Sequence, residues 1–366
     1  MQISYTASEL YKSCPKKYYY RYIENLVPKE YAGPLIFGTA IDQALSLLLL
    51  TKKTSRTIEE DILIKSLTDI KLYQSFDNSF AFQKPFIESV NDKGNSEAKI
   101  DIRHDHLCEY FNGDFDYRLL HQEDIKVLNK YIKAAGYTQT NIEALFDIIS
   151  EEKKKSLVDK EFYNYCCFLS LRRKGHALIK QFKLDIMPKI DEVYDIQRKV
   201  KITNDSGDTL SGAIDVILKL NGEDFKRIID LKTSSKSYPL NKIDKEGEQL
   251  AIYAEMQNIK DVGYFILIKK PDYIADYKEC ISCNKREINL KKRKCECGDI
   301  LINQNVNPIF KCQILLGNIK DEQIDLTFDT LSSILINIEK KEFPCKKENC
   351  FSFGRKCSYY DFCEKR

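Results

Sequence analysis

The sequence predicts an α/β protein in which a mixed β-sheet is flanked by helices. Two aliphatic runs, residues 210–220 and 225–231, flank Asn221-Gly222, a pair typical of the turn in a β-hairpin. The next segment, GEQLAIYAEMQ, has helical character, and VGYFILIKK indicates a further core strand. We therefore expect strands to resume near residue 191, after a largely helical region.

The predicted hairpin concentrates charged side chains at one end of an aliphatic sheet. Side chains two apart on a strand share a face, so Asp230 and Lys232 are expected to project together, with Asp215 beside them. Two close carboxylates favour a hard divalent cation between them, and a lysine nearby can orient a water molecule or neutralise a phosphorane. An ordinary exposed hairpin with charged ends is the simpler alternative.

The helix after the hairpin places Gln249 and Tyr253 one turn apart on one face. In order and spacing, GAID at 212–215, IDLKT at 229–233 and Q-x-x-x-Y at 249–253 resemble the PD-(D/E)XK nuclease superfamily. The closest similarity is to its RecB-like branch, which includes phage exonuclease-like proteins and iron-sulfur nucleases. The resemblance implies a restriction-endonuclease-like core.

The same resemblance implies a role for each motif residue. Asp215, Asp230 and the carbonyl of Leu231 would bind Mg²⁺ or Mn²⁺, and Lys232 would assist catalysis. The helix with Gln249 and Tyr253 would support the site and the DNA, so these two residues complete the expected catalytic set: Asp215, Asp230, Lys232, Gln249 and Tyr253.

Composition and charge restrict where the protein acts. The formal net charge of the 366 residues is only +3, so nucleic-acid binding must come from local basic patches. Met1-Gln2-Ile3 leads directly into polar sequence, and the longest apolar run, residues 44–50, is too short to span a bilayer. We expect a cytoplasmic protein, in a bacterium or a phage-infected cell, and the clustering among its 13 cysteines indicates metal binding rather than disulfides.

The first 23 residues combine a helix start, a cysteine and an aromatic segment. Thr6 and Glu9 have the spacing of a capping box, and the predicted helix leads to Cys14. The following KKYYYRY, residues 16–22, is either an amphipathic segment whose tyrosines pack on the core or a wall on which bases stack. The order S-x-L-Y-x-x-C-P at residues 8–15 resembles the start of RecB-like nucleases, where the first cysteine of an iron-sulfur cluster lies.

A predicted turn at Gly38 leads into an apolar helix that carries Asp42. In the resembling family this stretch has a histidine that reaches the catalytic metal, and Asp42 occupies its place. Aspartate also binds Mg²⁺ or Mn²⁺, although it adds negative charge. The alternative is an aspartate favoured by the dipole at a helix N-terminus.

Residues 43–190 are expected to form a helical insertion with few chemical signals. Periodicity predicts helices at 141–153 and 161–183. His104 and His106 flank Asp105, and we interpret them as part of a solvated loop rather than a metal site.

Two cysteine pairs, in CISC and CEC, follow the predicted core strand. Their soft thiolates favour tetrahedral zinc, although C-x-C replaces the usual second C-x-x-C. The sequence therefore predicts a small zinc knuckle in a basic loop, with four ligands: Cys280, Cys283, Cys295 and Cys297.

A predicted helix at 321–341 leads to a final group of cysteines. The closing CSYYDFC resembles the C-terminal cluster motif of RecB-like nucleases, which implies a [4Fe-4S] cluster bound by Cys350, Cys357, Cys363 and Cys14. Cys345 competes for a ligand place, and a second zinc site is the alternative.

These observations favour a metal-dependent DNA nuclease, an exonuclease in repair, recombination or phage DNA processing. A catalytically inactive DNA-binding or partner-binding protein and an RNA-directed nuclease are the alternatives. The expected partners are DNA, as single strands or duplex ends, and a helicase or recombination protein, with no membrane. The predicted regions are an N-terminal helical segment, the helical insertion, the nuclease core, the zinc knuckle and a C-terminal cysteine region, at 1–42, 43–190, 191–279, 280–300 and 301–366.

Overall fold

The computed structural model describes most of the chain. The described residues are 2–26, 33–80, 86–90, 96–100, 117–120, 123–126, 128, 160–203, 207–280, 286–289, 291–297, 301–352, 355–357 and 359–364. The predicted helix at 141–153, His104, His106 and Cys283 lie outside these residues.

The helices of the described residues flank a central sheet. They are α1 Tyr5–Ser13, α2 Pro15–Tyr18, a π-helical turn Tyr19–Ile23, α3 Gly33–Leu50, α4 Ile58–Lys65, α5 Asp69–Phe80, α6 Lys160–Asp185, α7 Lys242–Glu246, α8 Glu248–Gln257, α9 Asp321–Glu339 and α10 Tyr360–Glu364. Short 3₁₀ turns occupy Tyr117–Leu119, Met187–Lys189 and Lys347–Asn349.

The main sheet has seven strands and is mixed. Its strands are β1 Gln2–Ser4, β4 Ile190–Thr203, β5 Thr209–Leu220, β6 Arg227–Ser234, β7 Asp261–Cys280, β8 Arg286–Glu287 and β9 Leu301–Asn318. Their order is β1-β5-β6-β7-β8, with β4 also beside β5 and β9 beside β7. The pairs β1/β5 and β6/β7 are parallel and the others antiparallel. Two small antiparallel pairs complete the strands: β2 Phe86–Val90 with β3 Ser96–Ile100, and β10 Phe351–Ser352 with β11 Arg355–Lys356.

Each face of the sheet buries its own hydrophobic core. Alternate residues of a strand point to opposite faces, and β7 divides accordingly. Phe265 and Leu267 pack with α3, α5 and α6, whereas Ile266 packs with α8 and α9. This three-layer arrangement confirms the predicted mixed sheet flanked by helices, with the restriction-endonuclease-like fold.

Three local predictions differ from the structure. Ser4, not Thr6, caps α1, because β1 pairs with β5 up to Ser4 and the helix begins immediately afterwards. Gly38 lies inside α3 instead of forming a turn. Phe225 lies in the loop before β6, where it packs against the Arg227 guanidinium at 4.6 Å, so the strand starts later than its apolar run suggests.

The described part of the chain contains no helix that combines the length and apolar character required to cross a bilayer.

Candidate functional site

The predicted catalytic carboxylates lie where two strands separate. Strands β5 and β6 pair only from Val216 to Leu218, and the next pair in this register would be Asp215 with Asp230. The backbone N–H of Leu231 donates instead to Asp215 Oδ2 at 2.7 Å. Because the ladder stops here, both carboxyl groups can face a common space rather than a neighbouring strand.

A chain of polar contacts links Asp230 to α8. Lys232 Nζ lies 2.6 Å from Asp230 Oδ2 and donates to Gln249 Oε1 at 3.3 Å. Gln249 Nε2 in turn donates to the Tyr253 hydroxyl at 3.2 Å. A Cβ atom at Gly212 would lie 2.7 Å from the Tyr253 ring, so the close approach of α8 to β5 requires glycine there.

Asp42 reaches the same site from α3. Its charge interacts with Asp230 and Lys232, which places it beside the β5/β6 carboxylates. Gln197 Nε2 donates to both Asp42 oxygens, at 3.0 and 2.9 Å. Gln197 has a φ of +52° inside β4 and lies opposite Asp215 in the β4/β5 register. A non-glycine residue in this conformation is a strained feature often found at functional sites.

The three carboxyl groups shift one another's acidity. Burial, followed by the charges of Asp230 and Asp42, raises the pKa of Asp215 to about 7. Burial and the nearby Asp230 raise the pKa of Asp42 to about 6. Burial also raises the pKa of Asp230, although the Lys232 ammonium opposes this effect. Burial lowers the pKa of Lys232, but Asp230 outweighs it and the net shift is upward.

This donor set fits a hard divalent cation. Asp230 Oδ2 is buried, and apart from its ion pair with Lys232 it receives no hydrogen bond from the described residues. Three mutually repelling carboxylates leave excess negative charge that one lysine does not balance. Oxygen ligands in this arrangement are those that Mg²⁺ and Mn²⁺ prefer.

The raised pKa values predict that stability without divalent metal falls as pH rises from about 4 to about 7. In this window the folded protein keeps protons on Asp215 and Asp42 that the unfolded chain, with ordinary carboxyl pKa values, has already lost. The unfolded state therefore gains relative stability with increasing pH, by a few kcal/mol for shifts of this size. Thermal melts at pH 5 and pH 8, in buffer depleted of Mg²⁺ and Mn²⁺, measure the effect.

Two variants isolate the contribution of the site to this pH dependence. Asp215→Asn should melt with a smaller change between the two pH values, whereas Asp195→Asn, which removes an exposed partner of Arg198, should keep the wild-type change. Added Mg²⁺ should raise the melting temperature of the wild type more at pH 8, where the carboxylates are free of protons. Equal pH responses of wild type and Asp215→Asn would contradict the prediction.

Helix α1 contacts α8, the helix that carries Gln249 and Tyr253, directly. Lys12 forms ion pairs with Glu9 on its own helix and with Glu248, the residue before Gln249. Tyr5, at the start of α1, is close enough to Asp230 for that charge to raise the pKa of its hydroxyl, in addition to burial and Glu9. The N-terminal helix therefore forms part of the surroundings of the site, a role with no signal in the sequence.

The aromatic segment 16–22 mainly packs inward. Tyr18 and Tyr20 are buried, and Tyr20 stacks on Tyr359 with ring centroids 5.7 Å apart. Tyr22 and Arg21 are exposed, with the guanidinium 5.7 Å from the ring. Core packing thus accounts for the buried tyrosines, while the end of the segment, Arg21 and Tyr22, is its most exposed part.

The cysteines at the two chain ends lie together. Burial, followed by the charge of Cys345, raises the pKa of Cys350, and the charges of Cys357 and Cys14 add to this effect. Burial and the neighbouring sulfur atoms raise the pKa of Cys363 to about 11. Five thiols are therefore near enough to interact electrostatically, one more than a [4Fe-4S] cluster requires, and Cys345 is one of them.

Protein contacts already join these ends. The Tyr11 hydroxyl donates to the carbonyl of Glu342 at 2.6 Å, and Tyr20 donates to that of Phe362 at 3.1 Å. The Tyr359 hydroxyl donates to the carbonyl of Leu26 at 2.9 Å. The C-terminal region from Glu342 to Phe362 is therefore held against α1, the π-helical turn and Leu26 by hydrogen bonds from buried tyrosines.

Three of the four predicted zinc ligands form a second thiol group. The Sγ atoms of Cys280, Cys295 and Cys297 lie within 4.8 Å of one another, with Cys280 and Cys297 3.4 Å apart. Around tetrahedral zinc, with Zn–S bonds of about 2.3 Å, sulfur atoms are about 3.8 Å apart. The spacing is therefore compatible with one metal ion.

Comparison with known proteins supports the same family. A search of curated proteins finds no match to this chain. The profile of the PD-(D/E)XK nuclease superfamily matches residues 2–159, a segment that includes Cys14 and Asp42 and ends before Asp215. That match covers less than half of the chain, and it agrees with the restriction-endonuclease-like sheet around Asp215 and Asp230.

Proposed function

We propose that this protein is a metal-dependent DNA nuclease that hydrolyses phosphodiester bonds at the site formed by Asp215, Asp230 and Lys232. The observation that carries the proposal is the convergence of two strand carboxylates and a lysine where β5 and β6 separate. The RecB-like branch, an exonuclease mode and a helicase or recombination partner rest on the sequence resemblance.

Each residue has a distinct part in the proposed reaction. Carboxylate oxygens of Asp42, Asp215 and Asp230, with the Leu231 carbonyl, would hold Mg²⁺ or Mn²⁺, which when bound supplies Lewis-acid chemistry at the scissile phosphate. Lys232 would donate a hydrogen bond to the attacking water or to the phosphate oxygens as negative charge develops on them.

Three further side chains keep these groups in position. Gln249 accepts from Lys232 and so limits the positions of the ammonium group. Tyr253 holds Gln249 and packs on Gly212 of β5. Gln197 holds Asp42, which stands where the resembling proteins have a histidine. A harder ligand at this position would favour Mg²⁺ over softer ions.

Labelled nucleic acids test the proposed activity. Purified protein is incubated with end-labelled linear DNA, circular DNA and RNA, with Mg²⁺, with Mn²⁺ or with a chelator of both. We expect metal-dependent loss of linear DNA and little change in circular DNA. Cleavage of RNA alone would assign the enzyme to the RNA-directed class, and binding without any cleavage would assign it to the inactive nuclease-fold proteins.

The cysteines are assigned to two metal centres. Cys14, Cys350, Cys357 and Cys363 would bind a [4Fe-4S] cluster, with Cys345 as the competing ligand. Cys280, Cys283, Cys295 and Cys297 would bind structural zinc. Neither centre takes part in hydrolysis; both would hold peripheral segments on the nuclease core.

The zinc assignment predicts a metal loss confined to one site. Replacing Cys280 and Cys297 with serine should remove about one zinc ion per chain, because two of four thiolate ligands are lost. Elemental analysis of anaerobically prepared protein measures zinc and iron together. Iron content and the main melting transition should stay unchanged, and wild-type protein without zinc would end this assignment.

A further inference from the structure

A long β-arm extends from the catalytic edge of the sheet. Strand β7 runs parallel to β6 as far as Ser234, which pairs with Ile268, and then continues to Cys280 beside β9. Beyond Ser234 this arm has only β9 and the two-residue β8 as strand neighbours among the described residues. The predicted zinc knuckle lies at its far end.

The strand register gives the length of the arm. Asp230 is level with Tyr264, which pairs with Leu315, and Cys280 pairs with Leu301. At about 3.3 Å per residue, the 14 residue steps from Leu315 to Leu301 span about 46 Å. B-form DNA rises about 3.4 Å per base pair, so this span equals about 14 base pairs.

The arm ends in a concentration of positive charge. Between Cys280 and Cys297 the sequence has six basic residues and two acidic ones. Lys292 forms an ion pair with Glu287 at 2.7 Å. Three exposed residues form no ion pair within the described part of the chain: Lys291, Arg293 and Lys294. Zinc with four thiolates carries a charge of about −2, which balances some of these residues but leaves the knuckle positive.

We propose that Lys291, Arg293 and Lys294 at the tip of this arm bind the phosphate backbone of nucleic acid about 14 base pairs from the cleavage site. This inference rests on the proposed nuclease function for the identity of its ligand. The three side chains are exposed and positive, and the arm that carries them extends from the end of β6 beyond Asp230 and Lys232. Contacts of this kind add affinity without sequence preference and depend strongly on salt.

The test compares two triple variants in an Asp230→Asn background, so that binding is measured without cleavage. The knuckle variant carries Lys291→Ser, Arg293→Ser and Lys294→Ser. The control variant replaces three exposed lysines at the opposite end of the sheet, Lys65, Lys71 and Lys189, with serine. Probes are a DNA hairpin of about 10 base pairs, a duplex of about 30 base pairs and a single strand of about 30 nucleotides, chosen to fall short of or exceed the span of the arm.

We expect the knuckle variant to bind the long duplex on the order of tenfold more weakly at about 150 mM salt, with the short hairpin unaffected. For the long duplex, the slope of log K against log salt concentration should decrease in magnitude by up to about 2.7, because three phosphate contacts are lost. The control variant should bind all probes like the parent. Weakening on the long single strand but not on the duplex would assign the tip to single-stranded backbone.

Equal effects on long and short probes, or none on the long ones, would overturn the proposal. If the triple variant loses zinc, the single variant Lys291→Ser is used instead, because Lys291 lies four residues before Cys295. The slope of log K against log salt concentration should then decrease by about 0.9, for one lost phosphate contact. Wild-type affinity of that variant with zinc retained would contradict the proposal. Binding is measured in the Asp230→Asn background and therefore does not depend on cleavage. If the wild-type protein binds DNA without cleaving it, the proposed nuclease function is wrong, but the proposed binding by the arm remains.

Discussion

Replacement of Asp230 by asparagine is expected to lower the rate of DNA cleavage by about three orders of magnitude or more, while folding and DNA binding are retained. Loss of a metal ligand typically removes about 4 kcal/mol or more of transition-state stabilisation, which corresponds to this factor. Lys232→Ala should have a comparable effect, since its ammonium lies 2.6 Å from Asp230 and is the described cation nearest to the proposed reaction centre.

Matched controls separate this effect from a general loss of charge. Asp195→Asn removes an exposed carboxylate from β4, and Lys219→Ala removes a lysine from β5 that pairs with Asp191. Both should cleave at the wild-type rate. Single-turnover assays with saturating Mg²⁺ give the rates, and thermal melts verify that each variant is folded. Near wild-type cleavage by Asp230→Asn or Lys232→Ala would refute the assignment of the active site.

Replacement of Cys14 by alanine is expected to remove the iron-sulfur cluster and lower the melting temperature by on the order of 10 °C. A cluster shared by Cys14 and Cys363 would close nearly the whole chain into one loop. By analogy with a disulfide of that span, closure removes unfolded-state entropy equivalent to about 5 kcal/mol. Anaerobic protein should be brown in the wild type and colourless in the variant, with iron and sulfide lost together.

The structure adds a second consequence of losing the cluster. Helix α1 carries Cys14 at its C-terminal end and Lys12, which pairs with Glu248 beside Gln249. We therefore expect Cys14→Ala to reduce cleavage and expose α1 to protease, even though the catalytic carboxylates are unchanged. Cys312→Ala, at a thiol outside both cysteine groups, should keep full iron, colour and activity.

The competing ligand has its own measurable outcome. The charge of Cys345 acts on both Cys350 and Cys363, so Cys345 lies near two of the proposed cluster ligands. Full iron in Cys14→Ala and loss of iron in Cys345→Ala would transfer the fourth ligand place to Cys345. Zinc in place of iron at these thiols would replace the cluster by a second zinc site and leave the nuclease proposal intact.

Local spacing made the centre of the site predictable. Asp230 and Lys232 share a face because strand side chains alternate, and Gln249 and Tyr253 share one because helical neighbours lie four residues apart. The turn at Asn221-Gly222 brings Asp215 close to Asp230 within a single hairpin, across 14 intervening residues. These relationships depend on secondary structure alone, so a sequence pattern can reveal them.

Other members of the site are brought together only by folding. Gln197 reaches Asp42 across 155 residues, and its left-handed backbone has no signature in the sequence. Lys12 reaches Glu248 across 236 residues. The capping-box spacing of Thr6 and Glu9 predicts that α1 begins at Thr6. The helix begins earlier, with Ser4 as its N-cap, because the pairing of β1 with β5 ends at Ser4.

The sequence by itself determined the α/β class, the strands that carry Asp215, Asp230 and Lys232, the helix that carries Gln249 and Tyr253, and the grouping of the cysteines at residues 280–297 and 345–363. The tertiary structure decided where β5 and β6 separate, how α3 brings Asp42 to that point, and that Cys345 lies among the terminal thiols. The physical reason is that the interactions behind these two groups of features act over different separations along the chain. Hydrophobic periodicity and turn chemistry act over a few residues, whereas burial raises the pKa of Asp215 only after helices distant in the sequence have packed against the sheet.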